Sequence, residues 1–442
     1  MERKLFSLAV LLACGLLLAG CGLRPVIPTP TPAATPTPAD RARTNEYLDI
    51  FDTVWQTIND SYFDPEFGGV DWRAEHDRYQ PLIAQVDNDQ TFYQLVNQML
   101  WSLNVSHTGV GPVAEWSSAE PVVAAEGTTG LDVRLLDGEA VVTRVEPTSA
   151  GEKAGLRPGF VLEGIDGVTI GQIIADAETQ LGPPFNERGR IEGLTRGILS
   201  RLYGTPDTCV AVAYLDESSQ QHEPCITRIR RERAAVMQGT ALPPSFLEFE
   251  VKRLEQDIGY IRFNTFHPDL IPDMQNAIQS MQDARGIIID LRGNPGGDPI
   301  ATHALAAQFL KGAVSFCTYL TRDGPIDQIL EPAEETYEGP VLILIDTMST
   351  SASEEFAGGM QAIRRAVIIG EQSPGSVCGA NVKLLPNGAL LVFPTMELIA
   401  PDGTVLEGQG VIPDIQVEVD RKLLLQGIDS QLEAAIDYIE ER

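Results

Sequence analysis

The sequence predicts an α/β core with an inserted β-rich module and a small helical domain ahead of both, on three observations. Residues 236–442 alternate apolar, β-branched runs with helical stretches. Residues 123–235 break into short strands punctuated by Gly and Pro, and residues 43–122 repeat apolar positions at three- and four-residue steps. A chain of 442 residues also exceeds what one hydrophobic core usually serves, so two or three domains are expected.

Composition narrows the function. Apolar residues make up 43% and charged residues 21%, the balance of a soluble globular protein. The 62 acidic against 32 basic residues give a formal charge of -30, which repels nucleic-acid phosphates and anionic membrane surfaces, so no nucleic-acid partner is expected.

The first twenty residues read as an address. "MERKLFSLAVLLACGLLLAGC" has a basic start and an apolar segment too short to span a bilayer comfortably, then Leu18-Ala19-Gly20-Cys21. That ending resembles the lipobox of bacterial lipoproteins. The resemblance implies cleavage before Cys21 and lipid on its thiol, anchoring the mature chain to a bacterial membrane outside the cytoplasm. Residues 21–42 include "PVIPTPTPAATPTP", which buries no core and favours extended polyproline II. At ~3.1 Å per residue, this tether holds the folded part up to ~60 Å from the lipid.

Four cysteines remain beyond Cys21: Cys209, Cys225, Cys317 and Cys378, an even number suited to two disulfides in an oxidising compartment. Cys209 and Cys225 flank "CVAVAYL" and "CITRI" around a polar turn, so a pairing across a hairpin is expected. No cysteine pair has zinc-ligand spacing, and there is no H-E-x-x-H, Walker A loop or dinucleotide fingerprint. Neither metal nor organic cofactor is expected.

In residues 43–122, "NEYLDIFDTVWQTINDSYF" and "DQTFYQLVNQMLWSL" carry the helical repeat. In residues 123–235, "GLDV" (Gly130, Leu131, Asp132, Val133) and "AGLRPGFVLEGIDG" resemble a PDZ domain. The resemblance implies that the Gly130–Val133 loop offers backbone N–H groups to a peptide's terminal carboxylate while the adjacent strand edge pairs with the peptide. Asp132 stands against an anion there. The module is equally readable as a lid or spacer.

In residues 236–442, "IGYIRF", "GIIIDLR", "VLILID" and "AVIIGE" read as buried, largely parallel strands separated by helices such as "LIPDMQNAIQSMQDA" and "ATHALAAQFL". Ligand sites in such sheets gather at the carboxyl ends of strands. Two loops there carry chemistry. "DLRGNPGGD" has glycines that allow close backbone approach and turn an N–H toward a substrate oxygen. "MSTSASEEFAGGM" puts Ser351 ahead of Glu354 in a capping-box pattern, and the same strand-to-helix turn suits a nucleophile facing the positive end of a helix dipole.

Together "GYIRF…GIIIDLRGNPGG…VLILIDTMSTSASEEFAGGM…AVIIGE…LEGQGVIPDI" resembles the serine peptidases that include the C-terminal processing proteases and the tricorn protease core. The resemblance implies a crotonase/ClpP-like core and places the nucleophile at Ser351, between Ser349 and Ser353. Where the processing proteases carry a lysine base, this chain has Ser376 within "GEQSPGSVCG"; Lys383 is the nearest lysine downstream. The tricorn-like branch instead implies His107 as general base, Ser106 as a supporting hydroxyl and Glu407 as the orienter of the histidine, with Glu418 a poor substitute. A histidine with an ordinary pKa near ~6.5 suits that task. Ala352 with Gly296 or Gly297 would supply the oxyanion N–H groups. His76, His222, His267 and His303 lack motif context and are expected to be structural.

The expected activity is hydrolysis of peptide bonds in unfolded proteins or peptides. A catalytically inactive peptide-binding lipoprotein and a serine esterase remain as alternatives, because Ser-His-Glu chemistry does not choose its acyl group. The substrate and the oligomeric state are not legible in the sequence.

Overall fold

The computed structural model describes residues 38–113, 120–182, 186–236 and 242–441. The targeting segment, Cys21 and nearly all of the tether lie outside them. Among the described residues no helix is long and apolar enough to cross a membrane.

The chain opens with α1 (Pro38–Ser61), α2 (Trp72–Ile83) and α3 (Asp89–Trp101). Asp71 and Asn88 start the latter two by accepting the N–H groups of Ala74 and Thr91, each at 2.9 Å. Their apolar faces bury Phe51, Ile58, Trp72, Phe92 and Met99 in one cluster. A short strand, β1 (Gly109–Pro112), follows.

The middle region is an antiparallel sheet with path β2 (Leu131–Leu136), β3 (Glu139–Val145), β4 (Val161–Ile165) and β5 (Cys209–Leu215); β6 (Cys225–Thr227) pairs with β5. Helices α4 (Ile170–Gln180) and α5 (Glu187–Leu202) interrupt it, and α5 packs on β2, the edge strand. The Cys209–Cys225 disulfide closes the β5–β6 hairpin with Cα atoms 5.7 Å apart. The second pairing suggested by the even cysteine count does not form: Cys317 is buried in the core of the C-terminal α/β region and Cys378 in the helical cluster, both as free thiols.

The third region is a six-stranded sheet in the order β7 (Phe249–Arg253), β8 (Gly259–Phe263), β9 (Ile287–Asp290), β12 (Val341–Ile345), β13 (Val367–Gly370), β16 (Ile415–Gln416). All neighbours are parallel except β7 with β8. Side chains alternate between two buried layers, which is why these strands read as continuous apolar runs. Ile287, Ile289, Ile343 and Ile345 join the core that also holds residues of α6 (Ile271–Gln279), α7 (Pro299–Ala307) and α8 (Ala352–Ala362). Ile288, Leu342 and Leu344 meet Ala435, Ile436 and Ile439 of α9 (Ser430–Glu440) on the other face.

A further antiparallel sheet departs from the sequence expectation of plain α/β alternation. Its path is β1, β15 (Ala389–Ile399), β10 (Val314–Thr321), β11 (Gly324–Leu330), and β14 (Gly379–Leu384) pairs with β15. The register Gly109↔Val392 ties the segment after the N-terminal helices onto the third region. Leu391 and Phe393 of β15 enter the helical cluster, so the first domain and the core share packing.

Candidate active site

The loop after β12 is built from its carboxylates and hydroxyls. Asp346 accepts the N–H of Gly293 at 3.0 Å and of Met348 at 2.9 Å, and the Nε of Arg134 at 2.7 Å. Ser349 Oγ donates to the Leu291 carbonyl at 2.8 Å, and Ser353 Oγ to the Asn294 carbonyl at 2.9 Å, so both flanking serines are structural. Between them Ser351 sits at φ 56° and ψ -120°, a conformation that L-residues seldom adopt and that recurs where a side chain must project from a sharp strand-to-helix turn. Phe356, fully buried, holds the helix that follows.

Glu354 does more than cap. Its carboxylate accepts the Ser351 N–H at 3.1 Å, as the capping pattern anticipates, and also Ser373 Oγ at 2.6 Å, the Gly375 N–H at 2.7 Å and the Ser376 N–H at 2.9 Å. Burial pushes the pKa of this carboxyl up, while four donors, two on each oxygen, leave no acceptor for its proton and favour the ionised form. The Ser376 carbonyl in turn takes the Ser351 N–H at 2.8 Å. The Ser351 turn and the 373–376 segment are thus one hydrogen-bonded unit.

The glycine loop leans on that turn. A Cβ on Gly296 would fall 2.6 Å from Ser351 Cβ and 2.7 Å from the Ala352 nitrogen, and one on Gly297 would fall 2.1 Å from the Phe266 carbonyl oxygen. Only glycine fits either position. The Gly296 N–H donates to Asn294 Oδ1 at 2.9 Å, so of the two glycines expected as oxyanion donors, Gly296 is already engaged. The parallel bridge at Phe266 uses the Gly296 carbonyl and the Asp298 N–H, which leaves the Gly297 N–H pointing away from it. The Ala352 N–H opens α8 without an intrahelical partner.

The histidine arrives from the other side. Asn97 on α3 grips both the N–H and the carbonyl of Val110, at 2.8 and 2.9 Å, fixing the exit of the Ser106-His107 turn. His107, like Ser351, has a positive φ, 53°. Glu407 Oε1 accepts the Ser106 N–H at 2.6 Å; Glu407 Oε2 accepts Ser106 Oγ at 3.0 Å and the N–H groups of Val377 and Cys378 at 2.9 Å each. Ser106 Oγ lies 2.8 Å from His107 Nδ1. A hydroxyl that donates to the carboxylate must accept from the imidazole, which assigns the proton to Nδ1 and leaves Nε2 a free base. Glu407 therefore reaches His107 through Ser106 rather than directly. Burial lowers the His107 pKa, with Arg196 acting in the same direction and Glu407 and Glu120 opposing.

These parts meet on the 376–378 strip: Ser376 holds Ser351, and Val377 and Cys378 hold Glu407. Among the described residues no hydrogen bond joins Ser351 to His107 itself. Lys383 Nζ donates to Thr57 on α1 at 2.9 Å and takes no part. Glu418 is also elsewhere, its carbonyl bonded to Ser430.

At the turn before β2, Gly130 has φ 75°, and a Cβ there would strike Ser149 Cβ at 2.3 Å. Leu131, Asp132 and Val133 belong to β2, with Leu131 and Val133 in the module's core. Asp132 does not project as a bare charge: burial would push it up, but Arg262 at 2.9 Å, Arg144 at 3.4 Å and nearby Arg134 hold it below the usual carboxylate range.

Asn294, Asp346 and Arg134 escaped the sequence reading. Two had a signal: Asn294 is the one amide amid the loop's glycines and Asp346 closes the apolar "VLILID", whereas Arg134 falls on the polar phase of "GLDVRLL" and reads as an ordinary outward position.

Residues 257–417 match the model of peptidase family S41, and residues 43–101 match the tricorn protease C1 domain. The carboxyl-terminal-processing protease of Synechocystis sp. is 24% identical over 412 residues, covering 91% of this chain and 89% of the relative. The carboxy-terminal-processing protease of Bartonella bacilliformis is 29% identical, covering 80% and 76%. Among solved structures, a photosystem II D1 C-terminal processing protease superposes with a TM-score of 0.54 at 21% identity, covering 87% of this chain and 98% of that one, and shares the fold. The chain therefore carries a peptidase family S41 domain behind a tricorn C1 domain, and the protein is a serine peptidase.

Proposed function

We propose that the protein is a processing peptidase that cleaves unfolded protein segments outside the cytoplasm, through an acyl-enzyme on Ser351 with His107 as general base. The observation that carries this reading is the chain Glu407–Ser106–His107, joined through residues 376–378 to the Ser351 turn. His107 Nε2 takes the Ser351 proton as Oγ bonds to the peptide carbonyl carbon. The Ala352 and Gly297 N–H groups receive the oxyanion, and the proton passes to the leaving amine. Water, deprotonated by His107, then hydrolyses the ester and restores the Ser351 hydroxyl. Substrate binding must bring Ser351 Oγ into hydrogen-bond reach of Nε2, a tightening common in serine hydrolases.

The β2 edge beside α5, entered through the Gly130–Val133 turn, is read as a PDZ-like capture strip for a substrate's extended end. Relatives named for carboxyl-terminal processing support that direction. The Cys209–Cys225 disulfide supports an oxidising compartment, in line with a lipid on Cys21.

The test is cleavage of an unfolded protein by the full chain beside Ser351→Ala and His107→Ala. Both variants are expected to lose about 10³-fold or more in kcat/KM. Full activity in His107→Ala would remove the histidine from the mechanism. Cys21→Ala should release the protein from the membrane fraction; retention there would refute the lipid anchor.

A further inference from the structure

His303 on α7, Cys317 on β10 and Glu355 on α8 bring Nε2, Sγ and a carboxylate oxygen within 4.8 Å of one another. Glu355 Oε1 is the focus: it lies 2.8 Å from His303 Nε2, 3.5 Å from Cys317 Sγ and 2.7 Å from Tyr319 Oη, and Tyr319 Oη lies 3.3 Å from Nε2. We propose that His303, Cys317 and Glu355 bind one zinc-type divalent cation, with Tyr319 or a water at the fourth position.

Charge argues for it first. Asp132, Asp290 and Asp346 are each sunk in the protein beside at least one arginine and Glu354 is met by four hydrogen-bond donors, three of them backbone N–H groups, whereas among the described residues the only ion-pair partner of buried Glu355 is His303. A buried carboxylate without a fixed cation is costly. A divalent ion with one thiolate, one carboxylate and one neutral imidazole has no net charge and suits a buried place.

Ligand type comes next. Thiolate plus imidazole plus carboxylate favours zinc over calcium or magnesium, which take oxygen donors. Zinc bonds of about 2.0–2.3 Å place ligand atoms roughly 3.3–3.7 Å apart around a tetrahedron. Sγ and Oε1 already have that spacing, and the 2.8 Å between Nε2 and Oε1 needs to open by about half an ångström. On binding, the Sγ–metal bond replaces the Cys317 S–H bond and one proton leaves to solvent. The ion would fasten α7 and β10 to the first turn of α8, directly after the Ser351 turn. No motif spacing could reveal it, because the ligands come from three separate elements.

The experiment titrates the chelator-treated full chain with Co²⁺, without reductant so that Cys209–Cys225 stays closed. One equivalent should give a thiolate-to-cobalt charge-transfer band that Zn²⁺ displaces. The band should vanish in Cys317→Ser and persist in Cys378→Ser. His303→Ala should weaken Co²⁺ binding by more than the ~10–100-fold lost when a mere outer partner of a ligand is removed. No band in the wild type, or an undiminished one in Cys317→Ser, overturns the site. Should Cys317→Ser fail to fold by circular dichroism, unchanged Co²⁺ affinity in His303→Ala overturns it equally.

Discussion

Arg134 Nε donates to Asp346 Oδ2 at 2.7 Å, and both side chains are under 10% exposed. This pair joins the edge strand of the middle module to the loop that presents Ser351. Asp346 also holds the Gly293 and Met348 N–H groups, so the ion pair fixes the glycine loop and the serine loop together.

Arg134→Met should therefore cost about 3–5 kcal/mol, because it strands a buried carboxylate. Peptide hydrolysis should fall with it, because the Asp346 carboxylate that positions Gly293 and Met348 loses its charged partner. Asp346→Asn in the same chain should recover part of the stability in urea denaturation but not the activity. A single variant as stable as the wild type would show that the pair is not the joint between the two regions.

Ser106→Ala tests the relay. The methyl group fits where the hydroxyl was, so the chain should fold with a loss of about 1–3 kcal/mol for the unpaired buried Nδ1–H, and the imidazole loses the acceptor that keeps its proton there. By analogy with a wrong-tautomer defect in a triad, kcat/KM should fall by about 10²-fold or more, with KM nearly unchanged. An equal loss in KM would instead mark Ser106 as a substrate contact.

The pH profile follows from the direction of the His107 shift. Burial lowers its pKa below the ordinary ~6.5, so the imidazole is neutral and competent at pH 7. The rate should rise with pH through an inflection below ~6.5 and be flat near neutrality. The unfolded chain accepts this proton more readily than the folded one. The stability tied to His107 is therefore complete above ~6.5 and is lost as pH falls through the folded-state pKa. A rate that still climbs beyond pH 8 would indicate a lysine base, against the engagement of Lys383 with Thr57.

What the sequence disclosed depended on range. The parallel strands were legible because Ile287 to Ile289 and Leu342 to Leu344 are buried on both faces and leave continuous apolar runs. The β10–β11 and β14–β15 ribbons were missed because the exposed positions of β11 and β14 leave no continuous apolar run between segments that read as α/β repeats. Ser351, His107 and Glu407 became candidates by motif resemblance. The route from Glu407 through Ser106 was not, because a hydrogen bond between residues 106 and 407 leaves no periodicity. The Gly296 N–H looked free for a different reason: its partner, Asn294 Oδ1, is a local side chain whose orientation only the folded loop fixes.

Glu354→Gln probes the other half of the site. The carboxylate receives two donors on each oxygen: Ser373 Oγ and the Gly375 N–H on Oε1, the Ser351 and Ser376 N–H groups on Oε2. An amide of the same size must turn its NH₂ toward one of those pairs, setting donor against donor whichever way it flips. Opposed or unsatisfied groups in a buried place cost about 1–3 kcal/mol. That strain falls on the segment whose Ser376 carbonyl holds the Ser351 N–H, so kcat should drop by roughly 10–100-fold while KM moves little. Urea denaturation should show a loss of the same few kcal/mol. Activity within twofold of the wild type would mean that Glu354 serves only as the cap of α8, and that the position of Ser351 is secured by Asn294 and the glycine loop alone.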